Sequence, residues 1–204
     1  NGKTLLELNI RYLQRFGIED VIVNVHHFAD QIEEVVNDNN GFGSWVTISD
    51  ERDEVLETGG KADYEMGRYG VTFQPVKPDS LLTNNQVIEL GGMKLTMLHH
   101  PGHTKGSSSF LFTVKDSARF YKVLIANMPS IIIDSSFASI KTYPNIVADY
   151  AYTFETMKDI QFDIWLASHA CQFRLHRKHK VTDGYRPTAF VDQRGYDIAL
   201  SNLK

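Results

Sequence analysis

Two apolar, strand-like runs flank a short segment rich in histidine, glycine and small polar residues. The runs cover residues 93–98 and 109–114, and the segment between them contains the string HHPGHTKGSS. Alternating apolar residues interrupted by a Pro-Gly pair are typical of two strands joined by a tight loop, which would carry His103. Loops on a rigid scaffold often carry binding groups, and imidazole is the commonest metal ligand. His103 is therefore a candidate metal ligand, although a single histidine more often has a structural or solvated role.

The composition fits one globular domain of ordinary size, and two very small domains are the alternative. The chain has 204 residues, of which 42% are hydrophobic and 23% are charged, so it can bury a substantial core. Its net charge of −4 gives no electrostatic reason to expect nucleic acid or an anionic membrane as a partner. The basic tract at residues 174–180, RLHRKHK, is interpreted as a solvated helix face.

Cysteine content and the first residues limit the class of protein further. Cys171 is the only cysteine, so neither an intrachain disulfide nor a cysteine zinc cluster can form. No apolar run reaches the roughly 18 residues of a membrane span. The chain opens with NGKTLLELN, without an initiator methionine or a charged-then-apolar leader. These features predict a fragment of a longer chain, with no membrane span and no export signal of its own.

The opening sixty residues have the pattern helix, strand, helix, strand. Apolar residues recur at helical spacing over residues 4–16, and Gly17 suits the end of that helix. The β-branched run at residues 21–25 predicts a buried strand, and residues 30–37 predict a second helix. Residues 45–48 follow a loop rich in Asn and Gly, and they predict a second strand.

The rest of the chain contains several short strands and two longer helices. Strands are predicted at residues 71–73, 86–90, 94–98, 109–114, 122–126 and 162–167. A helix opened by Pro144 is predicted to bury one apolar stripe, formed by Val147, Tyr150, Ala151, Phe154 and Met157. A closing helix is predicted over residues 187–204, with Pro187 at its start. Runs of strands with flanking helices are typical of a layered α/β sandwich.

Several segments between residue 61 and the end of the chain together resemble one enzyme family. They are KADYEMGRYGVTFQPV, LLTNNQVIELGGMKLTMLHHPGHTKGSSSF, VLIANMPSIIID and TYPNIVADYAYTFETMKDIQFDIWLASHACQF. These segments resemble the metallo-β-lactamases, in the subclass that uses histidine in both zinc sites, and most closely the GOB-type enzymes. The resemblance implies the α/β fold of that family, an αββα sandwich. It also implies hydrolysis of a small-molecule β-lactam by zinc-activated water, and it leaves the oligomeric state open.

The resemblance implies zinc as the cofactor, with ligands that can be placed residue by residue. Two ligands of the family come from its PGH and SH segments, which correspond to His103 and His169 at different zinc positions. The others come from an HxHxDH loop nearer the N-terminus, and this chain contains no such string. In the nearest string, HHFADQ, His26 and Asp30 match the motif, whereas Phe28 can donate no ligand. We therefore expect weak zinc binding and poor or absent β-lactam hydrolysis.

Other polar residues near the histidines are weaker candidates. Lys105, Ser107 and Ser108 follow His103 closely enough to orient a substrate carboxylate or a water molecule. Turn residues that face solvent are the alternative interpretation of these three. His176 and His179 could share a helix face at i,i+3 and chelate a metal, but the cationic residues around them would repel it. Catalytic residues other than metal ligands stay unassigned.

The first sixty residues resemble a different family. The matched strings are GKTLLELNIRYLQRFGIEDVIVNVHHFADQIEEVV and ISDERDEVLETGG. They resemble the sugar-1-phosphate nucleotidyltransferases, and the resemblance stops at Gly60. The glycine-rich nucleotide loop and the metal-binding aspartate of that family lie outside the matched segment. Without a glycine-rich turn before a helix, no group can hold a triphosphate, so this segment is not expected to transfer nucleotides by itself.

Together the two resemblances predict a hybrid chain. Residues 1–60 would be of nucleotidyltransferase type and residues 61–204 of metallo-β-lactamase type, joined near Thr58-Gly59-Gly60. The alternatives to a β-lactam hydrolase are a nucleotidyltransferase fragment and a hybrid without catalytic activity. The compartment stays open, because the lactamase resemblance implies the periplasm and the other resemblance implies the cytoplasm.

Overall fold

The computed structural model describes residues 3–18, 20–24, 29–49, 54–75, 77–78, 80–117, 119–131, 133 and 136–203. The chain forms two compact units, of which the first contains Asn1–Leu82 and Leu90–Gly92 and the second contains Thr83–Glu89 and Met93–Lys204. Within the described residues, no helix has both the length and the apolar character that crossing a bilayer requires. The family boundary predicted at residue 60 stays a prediction.

The first unit opens with helix α1, strand β1, helix α2 and strand β2. They cover Leu5–Gln14, Asp20–Asn24, Ala29–Asp38 and Trp45–Ser49. Strands β1 and β2 pair in parallel, with Asp20 opposite Trp45, and α2 provides the crossover that parallel strands need. These elements lie where the sequence pattern predicts them.

Helix α1 carries apolar residues on more than one face. Ile10 packs with Val21 and Phe42 in a small core, and Leu6 and Leu13 lie against that core. A second apolar line along this segment is largely exposed and consists of Leu5, Leu8, Tyr12 and Phe16. The apolar spacing that predicts the helix therefore combines residues that the first unit buries with residues that it leaves exposed.

The first unit continues after β2 with little regular structure. Helix α3, Glu54–Glu57, is one turn long, and a 3-10 turn follows at Gly67–Tyr69. The strand predicted at residues 71–73 is wrong, because these residues form no regular structure. Phe73 instead donates its N–H to the Gly59 carbonyl over 2.9 Å and packs against Leu56. Phe73 therefore packs in a loop rather than in a strand ladder, and Val71 is exposed.

The second unit is built on a five-stranded sheet with the order β3-β4-β5-β6-β7. Its strands are Val87–Leu90, Met93–His99, Ser108–Lys115, Phe120–Ala126 and Ile164–Ala167, and only the last residue of β3, Leu90, is grouped with the first unit. β4 and β5 are antiparallel, β5 and β6 are antiparallel, and β6 and β7 are parallel. The five strands confirm the predicted strands at residues 86–90, 94–98, 109–114, 122–126 and 162–167.

Helix α4, Ile146–Lys158, connects β6 to β7 and provides the crossover for that parallel pair. Its buried residues are Ile146, Tyr150, Thr153, Phe154 and Met157. The predicted apolar stripe is wrong at two positions, because Val147 is 57% exposed and Ala151 is also exposed. Thr153 takes a place on the buried face that an apolar pattern does not show.

The closing helix predicted over residues 187–204 is interrupted. A 3-10 turn, Pro187–Phe190, comes first, and helix α6 covers Gln193–Ser201. Asp192 begins α6, because its side chain accepts the Gly195 N–H over 2.8 Å and caps the helix. The single predicted helix is therefore two elements.

Helix α5, Leu175–Lys178, is one turn long and lies in the basic tract. His179 follows it with φ −145° and ψ 130°, so His176 and His179 do not share a helix face as predicted. Most of the tract is exposed, in agreement with a solvated segment. Leu175 and Lys178 are the half-buried residues of the tract, and the Lys178 Nζ lies 4.9 Å from the centre of the Trp165 ring.

Candidate metal centre

Three connections of the second unit begin at one edge of the five-stranded sheet. The strand register pairs the end of β4 with the start of β5, and the end of β6 with the end of β7. Because β5 runs antiparallel to both β4 and β6, the C-terminal ends of β4, β6 and β7 lie at the same edge. The loop with His103, the segment after β6 and the turn with His169 all begin there.

His103 lies in a tight loop that closes on itself between β4 and β5. The His100 N–H donates to the Ser107 carbonyl over 2.8 Å, and the Gly102 N–H donates to the Thr104 carbonyl over 2.9 Å. The Ser107 hydroxyl accepts the Thr104 N–H over 2.9 Å. The prediction that His103 occupies a tight loop between two strands is confirmed.

The half-buried imidazole of His103 has a fixed hydrogen-bond partner. Its Nδ1 lies 2.7 Å from the carbonyl oxygen of Ser130, in the segment after β6. A carbonyl oxygen only accepts, so the neutral imidazole donates from Nδ1 and keeps its lone pair on Nε2. Metal-binding histidines are commonly held in this way, which fixes both the tautomer and the ring orientation. The atom of His103 that could bind a metal is therefore Nε2.

Helix α4 contacts the His103 loop and the segment after β6. The Tyr150 hydroxyl donates to the same Ser130 carbonyl over 2.9 Å, and the Thr153 hydroxyl donates to the Pro101 carbonyl over 2.6 Å. Gly102 has φ 131°, which favours glycine, and a Cβ there would lie 2.9 Å from the Tyr150 ring. The loop can approach the helix this closely because residue 102 has no side chain.

His100 joins the ends of three strands by hydrogen bonds. It is buried, and its Nδ1 lies 2.7 Å from the Ser109 hydroxyl, which also accepts the Asn127 N–H over 2.9 Å. Burial, with a smaller contribution from the charge of His99, lowers the pKa of His100 to about 4. His100 is therefore neutral near pH 7 and has a structural role in this network.

His169 has a less constrained setting than His103. It lies in the turn after β7 and is exposed. Its N–H donates to the Gln172 side-chain oxygen over 3.1 Å, and the Gln172 N–H donates to the His169 carbonyl over 3.0 Å. Cys171, in the same turn, is exposed as well. These bonds fix the backbone at His169, whereas its side chain lies at the surface.

The three substrate-binding candidates differ in accessibility. Ser107 and Ser108 are buried, with 2% and 5% of their surface exposed, and the Ser108 hydroxyl donates to the Gly106 carbonyl over 2.8 Å. Lys105 is half-buried, and its Nζ lies 5.9 Å from the centre of the Tyr143 ring. A substrate-binding role for the three residues stays a prediction, and Lys105 is the one whose charge could attract an anionic group.

The two N-terminal ligand candidates stay predictions as well. His26 and Phe28 lie outside the described residues, and Asp30 lies in the first turn of α2. In the part of the chain that the structure describes, no group of three or more His, Cys, Asp or Glu side chains is arranged to hold a metal. Met128, in the segment after β6, is 2% exposed, and a thioether is a poor zinc ligand.

The sequence pattern does not find the residues that hold His103. It assigns Tyr150 to an apolar stripe and does not single out Thr153. A hydroxyl on a buried helix face needs a hydrogen-bond partner, so these two side chains carried a usable signal. The Ser130 partner is a backbone carbonyl, which any residue type would supply, so the sequence contains no signal for it.

Comparison with solved structures identifies the family, although no family model matches the chain. The metallo-β-lactamase GOB-18 from Elizabethkingia meningoseptica is 43% identical, with a TM-score of 0.77 over 89% of this chain and 78% of that chain. A β-lactamase from Chitinophaga pinensis is 41% identical, with a TM-score of 0.80 over 99% of this chain and 78% of that chain. This chain belongs to the metallo-β-lactamase family.

The class B3 di-zinc metallo-β-lactamase LRA-12, from an Alaskan soil metagenome, is also similar. It is 39% identical, with a TM-score of 0.79 over 91% of this chain and 81% of that chain. These similarities confirm the predicted α/β fold of metallo-β-lactamase type and the resemblance to the GOB-type enzymes.

Two curated proteins match shorter parts of this metallo-β-lactamase family member. Acyl-coenzyme A thioesterase MBLAC2 from Gallus gallus is 29% identical over 133 residues, or 63% of this chain and 45% of that protein. N-acetylmuramate alpha-1-phosphate uridylyltransferase from Caulobacter vibrioides is 35% identical over 71 residues, or 34% of this chain and 29% of that protein. The chain therefore spans less than half of either relative, and the second match supports a partial resemblance to a nucleotidyltransferase.

Proposed function

We propose that the chain is a zinc-dependent β-lactam hydrolase of low activity, because its metal centre is incomplete. Membership of the metallo-β-lactamase family supports the reaction class. A hydrolytic zinc site uses about three protein ligands and leaves one position open. The HxHxDH string that would supply further ligands is absent from the sequence.

The described donors fit zinc in part. His103 and His169 both lie in connections at the same sheet edge, and the Nδ1 of His103 donates to the Ser130 carbonyl. Two imidazoles do not complete a hydrolytic centre, and the described residues offer no group of three donors. Weak zinc binding is the expected consequence.

The hydrogen bond between His103 Nδ1 and the Ser130 carbonyl is the observation that most supports this proposal. It leaves the lone pair on Nε2 and orients the ring before any metal binds. Loss of such an outer partner typically lowers metal affinity about 10- to 100-fold, so its presence favours a ligand role.

The test is hydrolysis of a chromogenic β-lactam by the full chain in excess zinc, with and without a chelator. We expect slow turnover that both the chelator and His103→Ala abolish. His176→Ala is the matched control, since His176 is an exposed histidine of α5, and it should keep the unsubstituted rate. A rate equal to that of GOB-18 would contradict low activity. Turnover that survives the chelator, or a folded chain with neither zinc binding nor turnover, would contradict the metal role.

A thioester is the second candidate substrate, because the match to the curated thioesterase covers 133 residues of this chain. An acyl-coenzyme A replaces the β-lactam in the same assay, and the released thiol is measured. Faster, chelator-sensitive turnover of the thioester would change the substrate class and leave the proposed metal role in place.

We also propose that residues 1–60 derive from a nucleotidyltransferase and that the join lies near Thr58-Gly59-Gly60. The 71-residue match to the uridylyltransferase and the parallel β1–β2 pair around α2 support this origin. A nucleotide that binds the folded chain raises its melting temperature. We expect no rise with uridine triphosphate, because the sequence lacks a glycine-rich phosphate loop. A rise would favour the nucleotidyltransferase alternative, and no stabilisation by either nucleotide or zinc would favour a non-catalytic hybrid.

A further inference from the structure

We infer that Tyr150 is a positioning residue for His103, which it holds through the Ser130 carbonyl and the Gly102 backbone. The inference deepens the proposed function. The expected effect of Tyr150 on zinc affinity rests on that proposal. The effect of Tyr150 on the His103 imidazole does not, because it is a property of the metal-free chain.

The first contact concerns the acceptor of His103. The Ser130 carbonyl accepts two hydrogen bonds, from the Tyr150 hydroxyl over 2.9 Å and from His103 Nδ1 over 2.7 Å. An sp² oxygen has two lone pairs, so both donors can be satisfied together. The other end of this segment is held separately, because the Asn127 N–H donates to the Ser109 hydroxyl. Tyr150 therefore fixes the end of the segment that contacts the imidazole.

The Tyr150 hydrogen bond to the Ser130 carbonyl matters because the Ser130 hydroxyl could replace that carbonyl as the partner of His103 Nδ1. The Ser130 hydroxyl lies 3.4 Å from His103 Nδ1, which is longer than the 2.7 Å to the Ser130 carbonyl. A hydroxyl can donate as well as accept, so a shift of Ser130 would let it donate to Nδ1. The proton would then move to Nε2, and the atom proposed to bind zinc would lose its lone pair. By bonding the carbonyl, Tyr150 favours the tautomer that can bind a metal.

The second contact concerns the backbone before His103. A Cβ at Gly102 would lie 2.9 Å from two atoms of the Tyr150 ring, so the ring limits movement of the loop in that direction. Tyr150 is itself 4% exposed, and its ring centre lies 5.5 Å from that of Phe137 and 6.3 Å from that of Phe154. A side chain packed in this way can hold its neighbours in place.

The test is ¹⁵N NMR of the histidine side chains in the metal-free full chain, at one alkaline pH, with His103→Gln used to assign the signal. We expect Nδ1 of His103 to carry the proton in the unsubstituted chain. Tyr150→Phe keeps the ring against Gly102 and removes the hydroxyl. It should give a mixture of the two tautomers and weaken zinc binding about 10-fold.

Tyr152→Phe is the matched control, because Tyr152 lies on the same helix and its hydroxyl lies 3.4 Å from the Asn84 amide nitrogen. It should change neither the tautomer nor the zinc affinity. If Tyr150→Phe does not fold, as judged by circular dichroism, Gly102→Ala disturbs the same ring from the loop side and should also mix the tautomers.

The outcomes separate this inference from the proposed function. An unchanged His103 tautomer in a folded Tyr150→Phe chain, or in a folded Gly102→Ala chain, would overturn the inference. A mixed tautomer together with no zinc binding by the unsubstituted chain would support the inference and overturn the metal role of His103.

Discussion

The two histidines at the common sheet edge differ in how firmly the fold holds them. His103 is half-buried, and its ring donates to the Ser130 carbonyl, which Tyr150 also contacts. His169 is exposed, and the described hydrogen bonds of its turn with Gln172 involve its backbone. Ordering an exposed side chain costs conformational entropy, which a side chain already fixed in the fold does not lose again. The fold therefore orients one candidate ligand in advance and leaves the other to be ordered by whatever binds it.

Gly102→Ala should have the largest effect on stability. It would disturb the surroundings of His103, the more firmly held of the two histidines. The new Cβ would lie 2.9 Å from the Tyr150 ring at a residue with φ 131°, so strain and overpacking should lower the free energy of unfolding by about 4 kcal/mol. Gly92→Ala is the control, because Gly92 has φ 80° and open space around it, and it should lose about 1 kcal/mol. Urea denaturation measures both, and equal losses would show that the ring contact is not rigid.

Acidification should weaken the network around the His103 loop through His100. The pKa of His100 falls from 6.5 to about 4 on burial, so the unfolded chain binds this proton first as the pH decreases. The free energy of unfolding should therefore decrease between pH 6.5 and pH 4, by up to about 3 kcal/mol from this group. His100→Gln removes the titrating group and should reduce the slope. Denaturation at several pH values measures the slope of the free energy of unfolding against pH. An unchanged slope in His100→Gln would contradict the assignment of this pH dependence to His100.

Thr153→Val tests the contact between α4 and the other side of the loop. The substitution keeps the shape of the side chain but removes the donor to the buried Pro101 carbonyl, so about 2 kcal/mol of unfolding free energy should be lost. Thr156→Val removes a hydroxyl that bonds within α4, to the Tyr152 carbonyl, and should change stability by less than about 0.5 kcal/mol. Similar losses in the two variants would mean that α4 does not hold the loop.

The smallest expected effect compares the two histidines directly in the metal-free chain. His103→Ala removes the hydrogen bond to Ser130 and should lower the free energy of unfolding by about 1 kcal/mol. His169→Ala removes an exposed side chain and should leave thermal stability close to that of the unsubstituted chain. A larger loss at His169 would reverse the comparison.

Local patterns in the sequence predict most elements of the fold. The strands around His103 follow from alternating apolar residues, and the loop follows from the Pro-Gly pair at 101–102, because both signals depend on near neighbours in the chain. The break in the closing helix also had a local signal, since Asp192 accepts the N–H of Gly195 as a cap. Helical periodicity alone does not contain that signal.

The surroundings of the candidate site depend on contacts that are distant in the chain. Tyr150 bonds a carbonyl that lies 20 positions away, and Thr153 bonds one that lies 52 positions away. Apolar periodicity places Tyr150 on the buried face of its helix, but it does not identify the partner of its hydroxyl. The family resemblance indicated His103 and His169, and it gave no account of how differently the two are held.

The crossover through α4 also has a consequence for the order of folding. Strands β4, β5 and β6 pair with their neighbours in sequence, whereas β7 pairs with β6 across the whole of residues 127–163. Pairing between distant segments forms slowly, because the chain between them must first be closed into a loop. We expect amide protons of β4 to β6 to become protected from hydrogen exchange before those of β7. The His103 loop would then form early. Its contacts with Tyr150 would form only when β7 pairs with β6, which is also the step that places His169 at the same sheet edge.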